Sequence, residues 1–275
     1  MEHPAKADFA GPAAERLADW IEAEACRDMY AAAPAALRLE VQVLGGATAL
    51  VAPTLPVTYF NRVIGLGDQA PATAATIRAI GALYAAAKVT SYWVHVIPSA
   101  LPTNVGALLE QAGLALPARR SWAKFLRTVT DAPVATTELR LREAIAADAE
   151  AVGHVITRAF GMPAAIGPWF GALVGRRGWT VLVAESAGSV VATGAVFVQG
   201  DHAWIGAGST LAEFRGRGAQ SALLAARIRA AAERGCTVVA TETGEPAAGE
   251  PNPSLENIRR AGFVQVCSRL NYASA

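Results

Sequence analysis

The chain has 275 residues, 53% of them hydrophobic and 17% charged, with 24 Lys and Arg against 23 Asp and Glu. That length holds one large or two moderate domains, the apolar share supports a buried core, and a net charge of +1 gives no electrostatic case for nucleic acid, which usually needs a basic stripe. No apolar run approaches a membrane span, and residues 1–8 lack the charged-then-apolar build of a signal peptide. Cys26, Cys236 and Cys267 are odd in number and far apart, which suggests neither a disulfide framework nor a zinc site. The expectation is a cytoplasmic globular protein, monomer or homodimer, with no metal, no membrane contact and no nucleic-acid partner.

In chain order, 57–66 reads as a strand, 71–88 as a helix and 91–97 as a strand. Residues 104–114 read as a helix stopped by Gly113, and 122–126 as a strand. Residues 128–138, rich in Thr, Pro and Asp, have the weak periodicity of a linker. Beyond it, 139–144 alternates like a strand. Helical spacing follows over 147–160, with Asp148 a candidate N-cap. Pro163 and Gly167 interrupt before a short helix at 168–174. Strands are expected at 180–185, 190–198 and 202–211, the last two joined by a tight turn at Gly200 and Asp201. A glycine-punctuated turn at 214–224 then runs into an Ala-rich helix, 217–233. A strand at 237–243, a helix at 252–261 closed by Gly262, and a strand region at 263–272 complete a mixed α/β order.

The turn is the most informative stretch. Gly216 and Gly218 leave backbone N–H groups unobstructed where a helix begins, and a helix start gathers unpaired donors and partial positive charge: a seat for phosphate. Gly216, Gly218 and Ser221 superficially match a dinucleotide fingerprint, but that motif follows the first strand of a βαβ unit, and here several strands precede it. A P-loop requires a Gly-Lys-Ser/Thr that is absent.

Arg215, Gly216, Arg217, Gly218, Ala219 and Gln220, lying between a strand and a helix, resemble the Arg/Gln-x-x-Gly-x-Gly/Ala motif of the GNAT superfamily of acyl-CoA-dependent N-acyltransferases. Gln220 departs from it where the last Gly or Ala stands. The family's Asn-bearing helix ending in Gly-Phe is matched by Asn252, Asn257, Gly262 and Phe263. The resemblance covers about residues 138–275. It implies acetyl-CoA as co-substrate, with its pyrophosphate on the N–H groups of Arg217, Gly218, Ala219, Gln220 and Ser221. Arg215 or Arg217 would stand nearby, and the Gln220 amide could add a donor. It further implies a pantetheine arm pairing with strand edges at Ser209, Thr210 and Leu211, and a thioester carbonyl polarised by a backbone N–H near Leu211. Asn252 and Asn257 are candidate cofactor contacts, with helix capping the alternative for Asn252.

Gly206 and Gly208 suit either a bulged strand that opens a slot or close packing of a neighbouring backbone. Transfer to an amine needs a base, and Glu242, beside that slot, is the first candidate; a solvated strand-end acid is the alternative. For the acid, many members of the family carry a tyrosine four residues before the Gly, where this chain has Ile258, so Tyr272 is the substitute candidate against a packed aromatic or solvent donation. Trp169, Phe170 and Trp179 either line an acceptor site or fill the core.

The first half repeats the order β, α, β, α-Gly-apolar, β, and so resembles a degenerate copy of the same fold. At 67–74 it offers no matching motif and adds Asp68, an acid where pyrophosphate would sit. The expected architecture is α/β (α+β), two tandem GNAT-like mixed-sheet domains at 1–130 and 137–275. Only the second would bind CoA, while the first supplies a surface for the acceptor or a partner subunit. The expected activity is acetyl transfer to a primary amine of a small molecule or peptide. The alternative is a non-catalytic CoA-binding or interaction module.

Overall fold

The computed structural model describes residues 9–55, 57–117, 121–247 and 249–274; the segment read as unlike a signal peptide lies outside them. The chain opens with α1 (Gly11–Ala31), which has Pro12 in its first turn, where a missing N–H costs nothing. β1 (Glu40–Leu44) and β2 (Ala47–Val51) form a hairpin. Its turn residues, Gly45 and Gly46, have φ of +57° and +84°, the left-handed pair a two-residue hairpin turn requires. Then come β3 (Arg62–Ile64), α2 (Ala74–Ala86), β4 (Trp93–Val96), α3 (Val105–Gln111) and β5 (Ser121–Thr128). The Thr73 hydroxyl caps α2 by accepting from Thr76 N–H at 3.0 Å.

The second half runs β6 (Arg140–Glu143), α4 (Ala149–Phe160), α5 (Gly167–Gly171), β7 (Trp179–Ser186), β8 (Ser189–Gln199), β9 (His202–Thr210) and α6 (Ala219–Glu233). It ends with β10 (Val238–Gly244), α7 (Pro253–Arg260) and β11 (Val264–Ala273). These elements follow the expected order closely, because each carries a clear period and a turn signal.

Two expectations change. Residues 57–66 are not one strand: Thr58–Phe60 is a 3-10 turn, and only Arg62–Ile64 pairs. The Asn61 side chain explains this. It accepts from Ala52 N–H at 2.7 Å and donates toward the carbonyls of Leu55 and Val57 at 3.3 and 3.4 Å, satisfying in a loop the groups that a ladder would otherwise hold. Asp148 sits at the start of α4, but its carboxylate reaches back to Ile145 N–H at 2.7 Å and to Arg142 at 2.6 and 2.9 Å.

The eleven strands among the described residues form one mixed sheet in the order β1-β2-β3-β4-β11-β5-β10-β9-β8-β7-β6. The last strand of each half crosses into the other. β11 lies between β4 and β5, and β5 between β11 and β10, all antiparallel. The two parallel pairs, β3 with β4 and β9 with β10, flank this exchange symmetrically. A pseudo-twofold axis therefore passes between β5 and β11.

One face of the sheet packs α1, α4 and α5 against Val181, Val183, Trp204 and Ala240. The other packs α2 and α3 against the first half and α6 and α7 against the second. Trp169 and Phe170 are core residues of the first face, and Trp179 also donates to Asp28 of α1 at 2.7 Å. They fill the core rather than lining an open site.

Candidate active site

Between β9 and α6 the chain makes a short 3-10 turn, Ala212–Phe214, and then Arg215, Gly216, Arg217 and Gly218 in exposed conformations. Gly216 and Gly218 have φ of +77° and +76°, and a Cβ on Gly218 would lie 2.5 Å from the Thr136 carbonyl oxygen. The linker thus crosses directly against the turn, held by Thr137 Oγ1 donating to Arg217 C=O at 2.7 Å. Among the described residues no side chain caps α6, so its first-turn N–H groups, Ala219 to Ser221 included, point out as a donor array. Ala219 is buried where α6 meets the sheet, which leaves no room for a large residue. The Arg217 guanidinium lies 5.1 Å from the Phe214 ring centroid. Gln220 does not aim its amide at this array; Nε2 donates to Thr210 Oγ1 at 2.8 Å. What Gln220 offers the turn is its backbone N–H.

β9 and β10 pair only from His202↔Val238 to Trp204↔Ala240, after which they part. Between its partners on β8, β9 carries one extra residue: Thr193 faces Ser209 while Ala195 faces Gly206. Ala207 takes a left-handed φ of +52° within this bulge. The Trp204 indole lies over Gly206 on one face, so that a Cβ there would be 1.9 Å from the ring. On the other face, Arg227 of α6 donates to Gly206 C=O at 3.1 Å, and its guanidinium fills the space beside Gly194 and Gly208. The three glycines are therefore required by close packing as well as by the opening. Burial pulls the Arg227 guanidinium down to about 10. Ser209 Oγ is buried without a hydrogen-bond partner among the described residues. Leu211 N–H cannot polarise a carbonyl in the opening, because it donates to Val191 C=O at 3.0 Å. Strand alternation then turns the Thr210 N–H to the open edge.

Glu242 stands on β10 at the opening, opposite Lys124 of β5. It accepts from Trp204 Nε1 at 3.0 and 3.2 Å and from Lys124 Nζ at 3.2 Å. It is a buried, partnered carboxylate rather than a solvated strand-end acid. Burial pushes its carboxyl up, helped by Glu22 and opposed by Lys124, Arg269 and Arg62. Behind it, under α1, Asp19 and Glu22 meet Lys124, Arg62 and Arg269: Arg62 and Arg269 reach Glu22 at 2.8 and 2.6 Å, and Lys124 also binds Glu22. Three carboxylates thus face three cations across the two halves, counting Glu242. The sequence signal for this cluster was a charge inside an apolar strand, as at Lys124 between Ala123 and Phe125.

The remaining candidates disperse. Tyr272 pairs with Val94 of β4, packs in the core of the first half and turns its hydroxyl to Gly106 of α3. With β5 between β11 and β10, the fold does not bring Tyr272 to the opening, and burial raises its hydroxyl pKa. Asn252 spends both ends of its amide, accepting from Leu255 N–H at 3.0 Å to cap α7 and donating to Gly244 C=O at 2.7 Å. Asn257, one turn on, accepts from Arg260 at 2.6 Å.

The strand registers pair the halves residue by residue. β10 residue Glu242 sits opposite Lys124 as β4 residue His95 sits opposite Asn271, whose side chain it meets at 2.6 Å. His95 is wholly buried, and burial together with Arg269 holds its imidazole well below its usual range. In the first half the corresponding opening is filled by chain. Asp19 of α1 accepts from Gly65 N–H at 3.1 Å and Glu15 accepts from Ser99 N–H at 2.9 Å. Ala72 N–H and Leu101 N–H are taken by Leu101 C=O and Gly67 C=O at 2.7 and 2.9 Å. Asp68 is half-buried there, its carboxyl pushed up to about 8 by burial and by Asp19.

A parted parallel pair of strands, a bulge and an uncapped helix after a Gly-x-Gly turn coincide with a sequence match. Residues 147–249 match the acetyltransferase (GNAT) family. No curated protein matches the chain. Among solved structures it resembles a GCN5-related N-acetyltransferase from Kribbella flavida, at 17% identity and a TM-score of 0.64, covering 94% of this chain and 95% of that one. It also resembles a GCN5-related N-acetyltransferase from Sphaerobacter thermophilus, at 20% identity and 0.61, covering 96% and 93%. A tandem GNAT protein from the clavulanic acid biosynthesis pathway is similar at 17% identity and 0.59, over 84% and 78%. These likenesses are of fold, and they extend over both halves of the sheet. Among the described residues, no group of three or more His, Cys, Asp or Glu side chains is placed to hold a metal. No helix among them is long and apolar enough to cross a membrane.

Proposed function

We propose that the chain is an N-acyltransferase that moves an acetyl group from acetyl-CoA to a primary amine of a small molecule or peptide by direct attack. The observation that carries this reading is the β9–β10 opening beside the uncapped start of α6, both inside the GNAT match. The residues present fit an acyl-CoA. The N–H array from Arg217 to Ser221 suits a pyrophosphate, Arg215 and Arg217 add positive charge, and the open edge at Thr210 suits an amide of the pantetheine arm. The buried, unpartnered Ser209 Oγ is a further polar group at that edge.

In this reading Glu242 takes the proton of the incoming amine, as a base whose pKa lies above the ordinary carboxylate range. The freed lone pair attacks the thioester carbonyl, the C–N bond forms, and the C–S bond breaks. The departing thiolate takes up, through solvent, the second proton that the nitrogen loses on becoming an amide, and Glu242 then returns the first proton to solvent. Trp204 and Lys124 hold the carboxylate in place. The first half supplies β5 and Lys124 rather than a second cofactor site, because α1 and its own loops occupy the corresponding N–H groups.

A CoA-binding module without transfer is the second reading, favoured by the ion pair that occupies Glu242 and by the distance of Tyr272 from the opening. The two separate on thiol release from acetyl-CoA over a panel of amines. Release above the buffer rate with at least one amine, lost in Arg217→Glu together with CoA affinity, supports transfer. CoA binding with no release for any amine supports the module.

A further inference from the structure

Trp204 stands at the vertex of the opening, the last β9 residue paired to β10. Its ring does not point away along the core. It lies along β9 with its tip over Gly206, so closely that no other residue fits at 206. The indole is pinned at three points: Nε1 on both oxygens of Glu242, the ring edge-on to Trp179 at 6.2 Å and 80°, and the strand beneath it held from the opposite face by Arg227. It is almost fully buried, at 4% exposure. A rigid aromatic wall therefore closes the narrow end of the slot on the face that carries Glu242.

We propose that the Trp204 indole limits the acyl group this slot accepts, admitting acetyl and rejecting chains of four or more carbons. The inference rests on reading the opening as an acyl-CoA site and adds to it the class of acyl donor. The reason is steric. A longer chain starting at a thioester near the vertex must displace the ring, break its two bonds to Glu242 and undo its contact with Trp179. The strand cannot recede, because the Arg227 guanidinium already fills the space under Gly206 and Gly208. Each methylene that a pocket of fixed size must reject or accept changes affinity by about 10- to 200-fold.

The test is titration calorimetry on the full chain with CoA, acetyl-CoA, butyryl-CoA and hexanoyl-CoA. The wild type is expected to bind butyryl-CoA at least about tenfold more weakly than acetyl-CoA. In Trp204→Ala that ratio should collapse to within about threefold or invert, while the affinity for free CoA holds within about threefold, well under the span of one methylene. Trp204→Phe keeps most of the ring and should keep the discrimination. Trp204→Leu replaces the Ala variant if the latter does not fold. An unchanged acetyl-to-butyryl ratio in the Ala or Leu variant with intact CoA binding overturns the acyl-length role alone. So does a wild type that binds hexanoyl-CoA as well as acetyl-CoA. A wild type that binds no CoA sinks the acyl-CoA reading, and this role with it.

Discussion

Asp68 carries its cost in a measurable form. Its carboxyl is pushed up to about 8 in the folded chain, by burial first and by Asp19 second, with Arg16, Arg269 and Lys124 opposing. An unfolded aspartate titrates near 3.9. Between those values the folded state holds a proton that the unfolded state has released, so stability falls as pH rises through that window and levels off above it. Asp68→Asn removes this dependence. The variant should match the wild type near pH 4 and melt a few degrees higher near pH 9, as thermal unfolding at the two pH values would show. Equal melting temperatures at pH 9 would mean that the carboxyl ionises without penalty. The acid itself was visible in the sequence. That α1 would supply Asp19 and Glu15 to the same place was not, since their partners lie 46 and 84 residues away.

At the scale of elements, the polar cluster under α1 links β10 to β5. Glu242→Gln should cut turnover by about 10²- to 10⁴-fold while leaving CoA affinity unchanged, and the acid limb of the rate–pH profile should disappear. If Glu242 is the base, that limb in the wild type should be shifted upward from an ordinary carboxylate's, because burial raises its pKa. Lys124→Met leaves Glu22 and Glu242 short of a cation and should cost about 3–5 kcal/mol in urea unfolding, with Lys124→Arg costing less. Long periodic elements, α4, α6 and the hairpin β7–β8 among them, were legible because pattern and turn chemistry agree locally. The Gly-x-Gly turn into α6 was legible for the same reason. The roles of individual side chains were not: Gln220 spends its amide on Thr210, and Trp204 and Arg227 clamp the bulge from two faces. Each of those contacts depends on which strand or helix lies opposite, and local spacing does not encode that.

For the whole molecule the decisive feature is that β5 and β11 change places. Removing residues 1–130 takes away β5 and its Lys124, exposing the edge of β10 along its full seven residues and stripping α1 from the buried charges. Such a fragment is expected to aggregate or to lose CoA binding; a soluble fragment with wild-type affinity would show the halves to be independent. The same exchange orders events during synthesis. The outer edge of β4 meets its partner only when residues 264–273 have been made, so the amino-terminal half cannot finish its sheet while the ribosome is still working on the rest. The nascent chain must keep that edge from other proteins for most of its time on the ribosome. Slow and late compaction, read in a pulse-proteolysis time course, is the consequence expected of where one strand sits.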